Sequence, residues 1–456
     1  MDSLQRLETL GIRIPEICLP REGIDLTKWA VIACDQFTQD AQYWEAAKQI
    51  AGAAPSALNL ILPEIYLGEK DLEQRIAAIR QEMAAYIASG ILAAPKQGAI
   101  YVERETPFHP RRRGLLLAVD LERYDWKPDS RLLLRATEDT VPERLPPRMA
   151  IRRDAPLEIP HILLLIDDRD DSLLPAIADA ACAKPPLYQT TLMLNGGSIS
   201  GWGVDGESQW GQLAQGLETL ARQAQERYCA DAGESPFLFA VGDGNHSLAA
   251  AKAVWEEYKA CHPLEANLER HPARWALAEL VNLYDPGLAF EPIHRILFGP
   301  QAQELLECFS RPNSGGLPGF SYRRVDSAAE LSRLVNSQGQ QRSGIGLIAG
   351  GDHILMETTM RDLPVSLLQP PLDALIQRNP EYEIDYIHGE EELLRLTGPS
   401  QRCLGLLLPP VAKEGLFETV AHSGPLPRKS FSMGAGIEKR YYLECRRLFG
   451  SEKSLD

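Results

Sequence analysis

The chain reads as an α/β (α+β) protein with mixed sheets and flanking helices. Three observations lead there. Short apolar runs of strand length recur, such as Phe237–Val241 and His161–Ile166; helical spacings recur, such as Leu72, Ile76, Ile79, Met83 and Ile87; and the two alternate through 456 residues.

Near the start, Trp29–Cys34 is an apolar run that predicts a buried strand ending at Asp35, and Leu58–Leu62 predicts a second extended run closed by Pro63. A short helix is expected over 42–52 and a longer one from about Glu69 to Ser89. Ala99–Glu103 and Gly114–Val119 follow as strands. Leu132–Ala136 is another, leading into the polar loop Thr137-Glu138-Asp139-Thr140. Asn195-Gly196-Gly197-Ser198 predicts a tight turn. Leu213, Leu217, Leu220, Ala224 and Tyr228 step as a helix. Beyond Pro286, strand-like Tyr322–Val325, Ile345–Ile348 and Ile354–Glu357 with a helix over 328–336 predict a small α/β insert. The expected regions are 1–130, an N-terminal α/β part; 131–295, a core; 296–370, the insert; and 371–456, a segment returning to the core.

Composition narrows the function. Hydrophobic residues make up 44% and charged residues 24%, ordinary values for a globular chain. A formal net charge of −16 argues against tracking nucleic-acid phosphates, which takes a basic face. The one dense basic run, Arg111-Arg112-Arg113, is expected in a surface loop. No apolar run approaches the ~20 residues of a membrane span. Eight scattered cysteines and no secretory layout predict reduced thiols in a cytoplasmic protein. Oligomeric state is left open, with a homodimer among the options.

The most informative stretch runs from Phe237 to Lys252. An apolar strand turns through Gly242-Asp243-Gly244-Asn245-His246 into a helix beginning near Ser247. A strand that turns sharply into a helix start leaves N–H groups pointing outward, where the helix dipole favours an anion. Gly242, Gly244, Asn245 and Ser247 are therefore expected to cradle phosphate, with Asp243 and His246 beside it. An ordinary connection would use the same residues as turn and cap. A dinucleotide fingerprint read from Gly242, Gly244 and Ser247 lacks the acid that should end a following strand.

Five short matches run through the chain in order. Gly242–Ser247 looks like the Asp-Gly-His-His-Arg motif of the Domain of Unknown Function 1015 family; Val31–Asp35 resembles its early strand ending in Asp; Arg135–Thr140 its His-Glu-x-Thr element; Pro292–Arg295 its Pro-x-His-Arg; Pro427–Ser430 its Pro-x-Lys-Ser. The family motif is similar to the phosphate box of ParB/sulfiredoxin-like folds, which include kinases of free serine. The resemblance implies a ParB/sulfiredoxin-like core element and a small-molecule site with phosphoryl-transfer potential, on a hydroxyl amino acid such as serine. Ser247 stands where the family has Arg, and Thr137 where His is usual.

A kinase needs cations on the phosphates, an acid to orient or deprotonate the hydroxyl, and usually Mg²⁺. Glu138 is the expected acid, with Asp243 and His246 completing the catalytic set. His294, Arg295, Arg428, Lys429 and Ser430 are expected on the phosphates, with Lys252 a further cation. Asp35 and Thr140 are expected on substrate, and Asp35 or the acids at 167, 168, 170 and 171 could meet a metal. The cofactor expected is ATP or ADP with Mg²⁺. A non-catalytic phosphometabolite or nucleotide sensor is the alternative, favoured by the departures at Thr137 and Ser247.

Overall fold

The computed structural model describes residues 1–229, 234–311, 316–337, 343–359, 363–398 and 402–449. They divide into two compact units. One comprises Met1–Leu288 with the segment from Gly434 onward; the other is Ala289–Met433. The chain thus leaves the first unit at Leu288 and re-enters it at Gly434, whereas the sequence reading set its boundaries at 130/131, 295/296 and 370/371.

The first unit is built on a ten-stranded mixed sheet. Leu163–Ile166 lies at its centre, parallel to Trp275–Asn282 on one side and antiparallel to Phe239–Asp243 on the other. Phe239–Asp243 in turn runs parallel to Leu134–Ala136. The central strand is apolar throughout, and Leu163, Leu164, Leu165 and Ile166 are all fully buried. The helix Glu207–Tyr228 buries Leu213, Leu217, Leu220 and Ala224, the stripe its spacing predicts. Each such leucine stabilises the fold by roughly 1.5–3 kcal/mol. The helix predicted from Glu69 to Ser89 spans Leu72–Ala88.

Local composition misled in three places. Of Trp29–Cys34 only Val31–Ile32 is strand, because Leu26–Trp29 is a short helix capped by Asp25. The strand pairs with Tyr441–Tyr442 from the far end of the chain. Leu58–Leu62 is not extended: Ala57–Leu60 forms a 3₁₀ turn opened by the Ser56 hydroxyl. Arg112 and Arg113 are not in a surface loop but open the strand Arg112–Asp120, both buried. Burial is tolerated because Arg113 pairs with Asp285 at 2.9 Å and Asp171 at 2.7 Å, and Arg112 donates to the Glu438 carbonyl at 2.9 Å.

The second unit carries a seven-stranded sheet. Two of its predicted strands form a hairpin: Ser343–Ala349 pairs with Asp352–Thr358 across Gly350 and Gly351, both at positive φ. Phe290–Phe298 bends along two partner sets, pairing with Phe431–Met433 at its start and with Glu383–His388 and Cys403–Leu407 further on. No helix among the described residues is long and apolar enough to cross a membrane.

Candidate functional site

The Gly-Asp-Gly-Asn-His segment is resolved differently from its sequence reading. Gly242 and Asp243 belong to the strand, and the helix begins at Asn245. Asp243 pairs with Leu163 and Val241 with Leu164, so Gly242 is the extra residue of a β-bulge. Gly244 alone makes the turn, in the left-handed region at φ 79°. A Cβ there would also lie 3.2 Å from the Ile162 Cα. One glycine re-aims Asp243, and the other reverses the chain.

Gly244 stands at the N-cap and brings no side-chain acceptor. Its own N–H donates to Asp243 Oδ1 at 3.0 Å. The amides that follow open the helix Asn245–Cys261, where a first turn has no intrahelical acceptor. The Asn245 Oδ1 is buried there without a hydrogen-bond partner.

Around this turn the first unit gathers groups from four separate stretches. The Lys439 Nζ lies 3.2 Å from Asp243 Oδ2. His161 presents Nε2 to the Ser247 Oγ at 2.7 Å and Nδ1 to the Tyr442 hydroxyl at 2.8 Å. The same hydroxyl accepts from the Cys34 N–H at 3.1 Å. Asp35 Oδ2 is 3.9 Å from His161 Nε2. Burial pushes the Asp35 carboxyl up, but His161, a hydrogen bond from Gln36 and the Lys439 charge outweigh it and hold it below the usual range. Asp35 stays ionised.

The loop carrying Glu138 is fastened to this turn at both ends. The fully buried Thr137 donates its hydroxyl to the Val241 carbonyl at 2.5 Å. The Val141 N–H donates to His246 Nε2 at 3.2 Å, so His246 carries its ring proton on Nδ1 in that arrangement. His246 thereby also ties the end of this loop to the turn. Between the two ties, the Thr140 Oγ1 is buried with no partner.

His294, Arg295, Arg428 and Lys429, expected on the phosphates, lie in the second unit. His294 is not a cation near neutrality: burial first, then the Arg295 and His388 charges, lower its pKa to about 4. Its Nδ1 accepts from the Leu408 N–H at 3.1 Å. Arg295 is fully buried, donates to the Ile293 carbonyl and to Gln369 Oε1, and stacks 4.9 Å from the Tyr386 ring centre. Arg428 reaches the same ring at 5.9 Å. The Pro-x-His-Arg and Pro-x-Lys-Ser elements therefore meet within this unit, through the pairing of Pro292 with Phe431. Lys429 takes a left-handed backbone at φ 59°, and Ser430 is buried with its hydroxyl on the Pro427 carbonyl at 2.5 Å.

Two further expectations are corrected. Lys252 is held by Glu256 at 2.6 Å and Glu122 at 3.7 Å, one turn and more along the helix. The acids at 167–171 are largely structural: Asp168 caps the N–H groups of Ser172 and Leu173, Asp167 holds Tyr228, Tyr284 and Arg227, and Asp171 holds Arg113 and Asn282. Among the described residues no group of three His, Cys, Asp or Glu side chains is placed to hold a metal ion.

Sequence reasoning missed His161, Lys439 and Tyr442. His161 begins a predicted strand just after Pro160, and no spacing ties it to Ser247. Lys439 and Tyr442 flank Arg440 and Tyr441 in a stretch with no motif of its own.

Comparison with known proteins gives one family. Among solved structures, a conserved hypothetical protein from Pyrococcus furiosus is similar at 10% identity and a TM-score of 0.36, covering 72% of this chain and 94% of that one. A free serine kinase in complex with AMP is similar at 8% identity and a TM-score of 0.37, covering 73% and 92%. A C-terminally truncated SbnI from Staphylococcus aureus has 10% identity and a TM-score of 0.33, covering 70% and 82%. No curated protein matches. The family described as Protein of unknown function (DUF1015) matches residues 18–375, most of the length, and the chain belongs to that family.

Proposed function

We propose that the chain is a nucleotide-dependent phosphotransferase acting on the hydroxyl of a small metabolite. The observation that carries this reading is the Lys439 ammonium set 3.2 Å from Asp243 at the opening of the helix Asn245–Cys261. A helix N-terminus with a fixed cation beside it is suited to nucleotide phosphates. In this reading the terminal P–O bond of the nucleotide breaks, the acceptor oxygen forms the new P–O bond, and Glu138 takes the hydroxyl proton. Its loop is tied to the same turn through Thr137 and His246. Asp35, held ionised, fits a Mg²⁺ that arrives with the nucleotide, since that ion binds through one or two carboxylates and keeps waters. The family resemblance implies serine as acceptor.

The test is purified full-length chain with Mg²⁺ and ATP or ADP, offered serine and a panel of alcohols and sugars, with product read by phosphorus NMR. No turnover together with no thermal shift on adding any nucleotide rejects the reading. A binding protein without turnover is the second reading. It is favoured by Ser247, whose hydroxyl is engaged by His161 where the family motif has a guanidinium. Calorimetry showing tight nucleotide binding with no product would select it.

A further inference from the structure

Behind the turn, the first unit contains a cavity of about 130 Å³. Its wall is mainly aliphatic, with Leu60, Leu62, Met83, Ile151, Ala250 and Leu277 contributing. Each charged side chain in the wall already has a partner of opposite sign. Arg148 is bonded to Glu64, and Glu158 is shared between Arg152 at 2.6 Å and Arg446. The charges in the wall are thus engaged within the protein, and a zwitterion would lose its hydration with little return. The lining also includes Ser247, His161 and Tyr442, where Ser247 Oγ meets His161 Nε2 at 2.7 Å and the Tyr442 hydroxyl meets His161 Nδ1 at 2.8 Å. Ser247 uses one of its lone pairs or its proton on His161, and a hydroxyl oxygen has capacity for a second partner. An apolar cavity of roughly 150 Å³ accommodates a molecule the size of benzene.

We propose that this cavity binds a small uncharged alcohol with an apolar body, its hydroxyl hydrogen-bonded at the Ser247–His161 pair. Resting on the phosphotransferase reading, this is the seat of the acceptor: Ser247 lies in the first turn of the helix whose N-terminus takes the phosphates. The acceptor class is then an aliphatic or single-ring alcohol, distinct from free serine.

The experiment uses the full-length chain without nucleotide, with benzyl alcohol and toluene as probes in ligand-observed NMR titrations. Both bind, and the alcohol binds roughly tenfold more tightly, the worth of about one hydrogen bond. Ser247→Ala removes that advantage and leaves toluene unchanged. Ala250→Leu, which fills the cavity, weakens both probes. Absence of binding to the wild-type chain, equal affinity for the two probes, or an alcohol preference that survives Ser247→Ala overturns the proposal. Should Ala250→Leu fail to fold, the Ser247→Ala comparison decides alone. These outcomes are independent of nucleotide turnover, so transfer of phosphate to serine without alcohol binding would overturn this inference and leave the phosphotransferase standing.

Discussion

Lys439 stands 3.2 Å from Asp243, so a residue near the end of the chain supplies the cation of a turn formed in its middle. The Lys439 side chain is 7% exposed and the Asp243 side chain 20%, so the pair is only partly screened by water. Lys439→Met should remove the thermal shift produced by nucleotide and destabilise the protein by about 1–3 kcal/mol, because Asp243 loses its partner. Lys439→Arg should retain part of the nucleotide response. A Lys439→Met protein that binds nucleotide as well as the wild type would remove the cation from the proposed site.

Glu138 is the proposed base, and its loop is tied down at Thr137 and Val141. Glu138→Gln keeps the shape and removes the basicity, and should lower kcat by about 10²–10⁴-fold with nucleotide affinity little changed. Steady-state kinetics beside calorimetry check this. Equal losses in affinity and kcat would indicate that the residue builds the loop instead.

Gly244 turns the chain at φ 79° with the Ile162 backbone 3.2 Å from where a Cβ would stand. Gly244→Ala should cost about 1–2 kcal/mol from the left-handed backbone alone. Because Ile162 follows His161, the same change should also shift the Ser247–His161 contact. Denaturant unfolding reads the first effect, and the benzyl alcohol preference reads the second.

His294 gives a pH signature to the second unit. Its pKa falls from 6.5 to about 4 through burial and the neighbouring Arg295 and His388 charges. Above pH 6.5 the ring is neutral both folded and unfolded, so no proton is exchanged on folding. As pH falls from 6.5 toward 4, the unfolded chain binds a proton that the folded chain refuses, and stability drops by about 3 kcal/mol in total. Below pH 4 both states are protonated and the loss levels off. His294→Asn should flatten this window in urea unfolding at pH 7 and pH 5. An unchanged slope would show that His294 is protonated in the native protein.

Much of the site's local form was legible in the residues. Apolar Phe237–Val241, two glycines and the alanine-rich stretch after Ser247 specify a strand, a reversal and a helix, because each depends on propensity and φ preference within a few positions. What each glycine does was not legible. Gly242 serves a bulge that exists only because Leu163 and Leu164 lie alongside.

The sequence by itself determined the α/β class, the predicted helices and the family motifs in their order, since periodicity and short motifs are local properties. Tertiary structure decided which motifs share a unit. It joined Pro292 to Phe431 in one unit, and Asp35, His161, Asp243, Ser247, Lys439 and Tyr442 in the other. It also decided charge states and exposure, making His294 neutral and burying Arg112, Arg113 and Arg295. The physical reason is that strand pairing and desolvation depend on which distant segment lies alongside, and no spacing within one segment carries that information.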